Sequence, residues 1–380
     1  MAKIENKEDI WSIFVSVNEQ LLNIYSKDYP PFFEPIVQSP LLQRIAGIGM
    51  NCGCEYTSFP FFRSLAPYSR LEHSIGVGLI VWNFTHSKAQ AIAGLLHDVA
   101  SPSFAHVIDF MKGDYITQES TEERTLSMIK SSVQVCKVLS ELGLSVEQVS
   151  DYHLYPIADN DTPKLSADRL EYTLGNIINF RLGGVEDVRE IYSSLSVTVN
   201  EEGEEELCFT DRAVAEKFAR YALECGKVYV SPADRYSMQL LSEIVKRAAG
   251  RGTVTEDMLY TTEKQVIEAL CSDSEGGMDW KWFTSLNGLY EVEVSGRVIA
   301  KRADVLTREV VSGLAVNDSS EAWRPEYPVR IISAKKRRID PLVAGEGRVS
   351  VVSSSFASAL NDFMSETFNE HLKGFSTLGV

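Results

Sequence analysis

A mainly α-helical protein with a small mixed C-terminal part is what this sequence predicts, on three observations. Apolar residues recur at helical spacing through most of the first 250 positions, helix-start signals precede those stretches, and strand-like alternation is confined to 194–210 and to segments beyond 250. Trp11, Phe14, Leu21, Leu22 and Tyr25 suggest a first amphipathic helix. Ser39-Pro40 reads as an N-cap with proline at the first helical position. Ser69-Arg70-Leu71-Glu72 fits a capping box, so a helix is expected from Arg70 to Phe84. Ser87 can cap the next, which runs into His97-Asp98 and stops near Val99, ahead of Pro102. Further helices are expected over Thr121–Leu142, Ala167–Asn179, Arg212–Cys225 and Pro232–Ala249. Alternation around the acidic turn Glu201-Glu202-Gly203-Glu204 predicts a surface β-hairpin over Ser194–Thr210. Gly250-Arg251-Gly252 is the best boundary candidate, dividing 1–250 from a mixed α/β appendage over 251–380. That appendage reads as short helices, strand-like Tyr290–Ala300 and Val329–Ser333, and a last helix near Phe356–Leu372.

The chain has 380 residues, 44% hydrophobic and 24% charged, enough to bury a large core without disulfides or other cross-links. Its 37 basic and 53 acidic residues leave a formal charge of −16, which argues against a surface that binds nucleic acid throughout, though a local basic patch is compatible. No apolar run approaches the roughly 18 residues that span a bilayer. Residues 1–10 mix Lys3 and Lys7 with Glu5, Glu8 and Asp9 around no apolar core, so no signal peptide is expected. Cys52-Gly53-Cys54 has no second pair at zinc-finger spacing, and the six cysteines read as reduced thiols of a cytoplasmic protein.

Chemistry concentrates in the histidines. Four of the six, His73, His86, His97 and His106, fall within 34 residues near expected helix ends, and His97 is followed directly by Asp98. Imidazole nitrogen with carboxylate oxygen suits divalent cations such as Zn, Fe, Mn and Ni. Four segments then occur in order: Arg70-Leu71-Glu72-His73, Leu95-Leu96-His97-Asp98, Pro102-Ser103-Phe104-Ala105-His106 and Ser166-Ala167-Asp168-Arg169-Leu170-Glu171-Tyr172. Together they resemble the HD-domain superfamily of metal-dependent phosphohydrolases, and their order resembles the branch containing the deoxynucleoside triphosphate triphosphohydrolases. The similarity runs from about Ser39 to Ala249, and Arg338-Ile339-Asp340-Pro341-Leu342-Val343 also looks like the tail of bacterial members.

The resemblance implies a helical HD-domain core in which His73, His97, Asp98 and Asp168 bind one divalent metal, with Mn, Fe, Zn, Ni or Mg as candidates. It places His106 near the phosphates, as a charge stabiliser or proton donor, with Asp109 one turn on to orient it or a water. It makes Arg70 a phosphate contact and sets Arg169 and Tyr172 along phosphate and sugar. The implied function is hydrolysis of a phosphate ester or anhydride of a nucleotide or another phosphorylated small molecule, by a homo-oligomer with no membrane association. Nucleic acid as partner is compatible but not favoured.

Two positions depart from the triphosphohydrolases: Ser101 and Thr121 stand where histidines are usual. The metal set is unaffected, so triphosphate specificity is what the departures call into question. Two rival functions follow: a non-catalytic HD module that binds nucleotide or nucleic acid, and a cyclic-nucleotide or oligonucleotide phosphodiesterase. Lys335-Lys336-Arg337-Arg338 reads as a solvated strand face or a strip facing nucleotide, nucleic acid or a neighbouring subunit. Tyr56, Phe59, Phe61, Phe62 and Tyr68 read as core or as a base-stacking loop. His86, His153 and His371 match nothing and read as structural.

Overall fold

The computed structural model describes residues 20–113, 124–292, 298–302, 329–330, 334–368 and 370–377. The architecture is mainly helical with two small sheets. Helix α1 (Arg70–Thr85) starts where the capping box predicts: Ser69 Oγ accepts the Glu72 N–H at 3.3 Å, and Glu72 Oε2 accepts the Ser69 N–H at 2.7 Å. It ends at His86, whose φ of 48° breaks the helix. Ser87 then caps α2 (Lys88–Leu96), which packs along α1 and delivers His97 at its C-terminus. Helix α3 (Val107–Lys112) lies against a later, longer helix, and α4 (Ala167–Asn179), capped by Ser166, packs on α1. Helices α5 (Arg212–Tyr229) and α6 (Pro232–Gly250) complete the group around the site, with α4 on α5 and α3 on α6.

The hairpin forms as expected, with β1 (Leu195–Val199) antiparallel to β2 (Glu205–Phe209) and Leu195 opposite Phe209. It is not a free surface hairpin, because β6 (Leu342–Val343) runs parallel to β2 and β7 (Gly347–Arg348) follows, which buries Leu207, Cys208 and Phe209. The second sheet, ordered β4-β3-β8-β5, joins β3 (Gly288–Val292), β4 (Val298–Arg302), β5 (Val329–Arg330) and β8 (His371–Phe375), all antiparallel.

Three expectations need correcting or bounding. The helix expected over Phe356–Leu372 is α7 (Ser354–Ser365) followed by strand β8, whose partner β3 lies some eighty residues upstream, where helical periodicity cannot register it. The helix expected over Thr121–Leu142 is two helices, Thr125–Ser131 and Val133–Leu142, broken at Ser132, whose ψ of 99° leaves its Oγ free to cap the second. Thr121 lies outside the described residues, as do Trp11 and Phe14, whereas Leu21, Leu22 and Tyr25 are helical.

One buried apolar cluster runs from Leu21 to Leu372 and includes residues on both sides of Gly250. Across it passes a strap, residues 334–343. The carbonyl of Arg337 approaches α5 so closely that a Cβ on Gly226 would lie 2.9 Å from its oxygen. Lys336 Nζ donates to the Met364 carbonyl at 2.8 Å, Thr162 Oγ donates to the Arg338 carbonyl at 3.1 Å, and the Asp340 N–H donates to the Pro163 carbonyl at 2.8 Å.

Candidate metal centre and active-site cleft

The capping box sets the phase of α1, and with it the site. Arg70 is in the first turn and His73 one turn later, on the same face, both buried. His73 Nδ1 lies 2.5 Å from Glu171 Oε2. A carboxylate only accepts, so Nδ1 carries a proton and Nε2 faces Asp168, with Oδ1 at 3.0 Å. Glu171 also takes the hydroxyl of Tyr68, and α4 can bring it this close only because position 76 is glycine: a Cβ there would sit 2.6 Å from Glu171 Cγ. His97 is fixed the same way, its Nδ1–H donating to the Gly94 carbonyl at 2.7 Å. Its Nε2 lies 3.8 Å from Asp168 Oδ1 and 3.6 Å from Asp98 Oδ2, and Tyr152 covers the ring at 5.0 Å between centroids.

His73, His97 and Asp168 therefore offer three ligand atoms within 4.8 Å of one another, the one such group among the described residues. Asp98 adjoins this trio through His97 but is held by a partly buried ion pair, Arg70 Nη1 to Asp98 Oδ2 at 2.6 Å. Ser101 closes that pair, donating to Asp98 Oδ1 at 2.8 Å and accepting from Arg70 Nη1 at 3.3 Å, and it does not line the cleft. Burial works against charge here, yet the carboxylates of Glu171 and Asp168 outweigh it and push His73 up to about 10, while His73 in turn holds Asp168 below its ordinary value. Two imidazoles with pre-set tautomers facing carboxylates, with surplus protons where a cation would sit, form a donor set that fits a divalent metal.

The trio lines a cleft of about 360 Å³. His106 lines it, projected by a strained turn in which Phe104 and Ala105 both take positive φ, 62° and 47°. Its Nδ1–H donates to the fully buried Asp109 at 2.9 Å, and its Nε2 lies 3.1 Å from Arg337 Nη2. A guanidinium only donates, so Nε2 is an acceptor and the ring is neutral. Burial first, then the Arg337 and Arg70 cations, hold His106 below the ordinary imidazole range against the pull of Asp109. Tyr172 lines the cleft one turn beyond Asp168, with Arg337 over its ring at 5.9 Å. Burial pushes its hydroxyl up to about 12, so it remains a donor. Arg169 lines the wall too, but its donors hold the 159–164 loop through Lys164 O at 2.8 Å, Asp159 Oδ1 at 3.1 Å and Asn160.

Several assignments change on this geometry. Lys335, Lys336, Arg337 and Arg338 line the cleft and are not a solvated strand face. His153 lines its rim, with Nδ1 3.1 Å from Asp151 and Nε2 3.4 Å from Asp159. Of the aromatic loop only Phe62 reaches the cleft. Phe59 is core, Tyr56 donates to Glu263 at 2.7 Å, and Tyr68 serves Glu171. Sequence reading missed the role of Glu171 and the far cleft wall of Asn176, Phe180, Val228 and Tyr229. The four-residue spacing Asp168, Tyr172, Asn176, Phe180 was the available signal, since it puts all four on one side of α4.

Two relatives bear on this site. The chain is 26% identical over 235 residues to a protein of Cordyceps militaris named metal-dependent phosphohydrolase cns2, in a match that covers 60% of this chain and 65% of that one. It is 26% identical over 240 residues to the uncharacterized protein YdhJ of Bacillus subtilis, in a match that covers 62% of this chain and 70% of that one. The match thus spans just under two thirds of the length of the Cordyceps relative. No family model matches the chain. The name of the Cordyceps relative, metal-dependent phosphohydrolase, accords with the His73–His97–Asp168 cluster that could hold a metal ion here.

Proposed function

We propose that the protein is a metal-dependent phosphohydrolase that cleaves a phosphate ester or anhydride of a nucleotide. The observation that carries this reading is the placement of the His–His–Asp cluster in the lining of a cleft whose walls bear Arg70, Arg169, Arg337 and Arg338. His73 and His97 through Nε2, and Asp168, would hold the metal, with Asp98 beside them. A divalent ion supplies such a site with a water of lowered pKa and a polarised phosphoryl oxygen. The chain does the rest: Glu171 and the Gly94 carbonyl orient the imidazoles, Arg337 and Arg338 on the strap offer forked donors to phosphate oxygens, and Tyr172 keeps its proton to donate.

The nucleotide part rests on the far wall. Asn176 is two turns beyond Asp168, about 12 Å along α4, and its buried Oδ1 has no hydrogen-bond partner among the described residues. Phe62, Phe180 and Tyr229 lie beside it in the cleft and offer ring faces to a base. The test is metal analysis of the purified protein, then a screen of nucleoside mono-, di- and triphosphates and cyclic nucleotides with the products identified. One metal per chain and phosphate release from a nucleotide is the expected result. Full metal occupancy without turnover of any nucleotide would favour a binding module instead.

A further inference from the structure

Arg337 lies far in sequence from the metal motifs, yet the fold brings its Nη2 within 3.1 Å of His106 Nε2. Its backbone is pinned from three sides: its carbonyl abuts Gly226, Lys336 is tied to Met364, and Thr162 is tied to the Arg338 carbonyl. His106 is pinned on its other side by the buried Asp109, so only its Nε2 edge is open to exchange.

We propose that Arg337 is a positioning residue that caps His106 Nε2 in the free protein and gives that contact up to a phosphate group entering the cleft, whereupon Nε2 takes a proton from solvent. This rests on the phosphohydrolase reading above. The protons balance: a neutral imidazole with its proton on Nδ1 becomes an imidazolium with Nδ1–H still on Asp109 and Nε2–H on the phosphate oxygen. No other bond is made or broken.

The charges around the ring favour this exchange. From α1 comes Arg70, already paired with Asp98; from the loop before it comes Cys52, a thiol pushed up to about 12 by burial; from α3 comes Asp109; from the strap comes Arg337. Asp234 on α6 lines the same cleft, and burial pushes it up to about 8 against the pull of Arg235 and Arg337. A phosphate is a better partner for the guanidinium than the imidazole lone pair, because a bond between two opposite charges, which can be bidentate, replaces a single bond from a cation to a neutral acceptor. Once the cation has turned to the phosphate, an anion faces Nε2 and protonation becomes favourable.

The experiment follows His106 itself. Protein carrying carbon-13-labelled histidine and loaded with diamagnetic Zn or Mg is titrated over pH, with His106→Gln identifying the resonance among the six histidines. His106 should titrate below an ordinary histidine in the wild type. It should move up by about one pH unit in Arg337→Gln, and by a similar amount in the wild type with saturating inorganic phosphate. Arg337→Lys, which keeps charge but not the fork, serves if Arg337→Gln does not fold and should shift the midpoint by less. Arg337→Gln should also weaken inorganic phosphate roughly tenfold or more. An identical His106 midpoint in wild type and both variants overturns the cap. A midpoint that answers to the substitution but not to phosphate overturns the exchange. A protein that hydrolyses no nucleotide defeats the functional reading instead, and leaves the substitution titration standing as a test of the cap.

Discussion

The two walls of the cleft are built in opposite ways. The metal wall comes from residues close in sequence to their own helix caps: Arg70 and His73 follow Ser69, His97 ends α2, and Asp168 follows Ser166. Its side chains are buried and tied to one another, with His73 2% and Arg70 7% exposed. The cationic wall comes from a strap some 170 residues beyond Asp168, held by a glycine contact and backbone carbonyls, with Arg337 half-buried and Arg338 exposed. One wall is stiff and sets geometry. The other is tied through its backbone and carries more exposed cationic side chains.

Substitutions can break or sharpen this contrast. The largest effect is expected on the metal wall, where His97→Ala should abolish both stoichiometric metal and turnover while circular dichroism keeps its helical signal. Full metal occupancy in that variant would remove His97 from the site. Arg70→Ala leaves Asp98 buried without its partner, which costs about 3–5 kcal/mol in comparable pairs. Thermal unfolding should show that loss mainly in metal-free protein, since a bound cation would neutralise Asp98 in its place; an equal loss with and without metal argues that Asp98 stays away from the ion.

Glu171→Gln keeps the shape but can no longer hold the His73 tautomer as a charged acceptor. Competition with a chelator should show metal affinity reduced by roughly 10- to 100-fold. On α5, facing the strap, Gly226→Ala forces a methyl group against the Arg337 carbonyl at 2.9 Å. A cost of about 1–3 kcal/mol is expected from such overpacking. If the walls are independent, it should raise KM for a phosphate substrate and leave metal content unchanged. A fall in metal content would show that they are coupled.

A further effect lies outside both walls. Burial, then the neighbouring Glu263, push Glu55 up from 4.5 to about 8. The folded protein thus holds a proton that the unfolded chain releases, and stability declines as pH rises. The contribution is whole below about 4.5 and lost once pH passes about 8. Melting temperatures taken from pH 5 to 8 should fall in the wild type and flatten in Glu55→Gln; parallel curves would place the proton elsewhere.

How much of this was legible follows from the range of each signal. Ser69, Ser87 and Ser166 act over three or four residues, so the starts of α1, α2 and α4 and the phases of His73, His97 and Asp168 could be read from spacing alone. The motifs also named the metal-wall residues, but spacing could not reveal that Arg70 and Ser101 occupy Asp98, because that pair joins two helices. His371 and Leu372, the first two residues of strand β8, read as the end of a helix for the same reason, the partner strand β3 being supplied only by the fold.

By itself, the sequence determined the helical class, the caps, and a set of imidazoles and carboxylates suited to a divalent cation. Only the tertiary structure decided that Glu171 sets the His73 tautomer, that Asn176, Phe180 and Tyr229 line the cleft, and that Arg337 caps His106. Hydrogen bonds and charges act over a few ångströms of space, while periodicity and capping act over a few residues of chain. The two coincide within one helix and part company wherever a strap from 334–338 meets a histidine at 106.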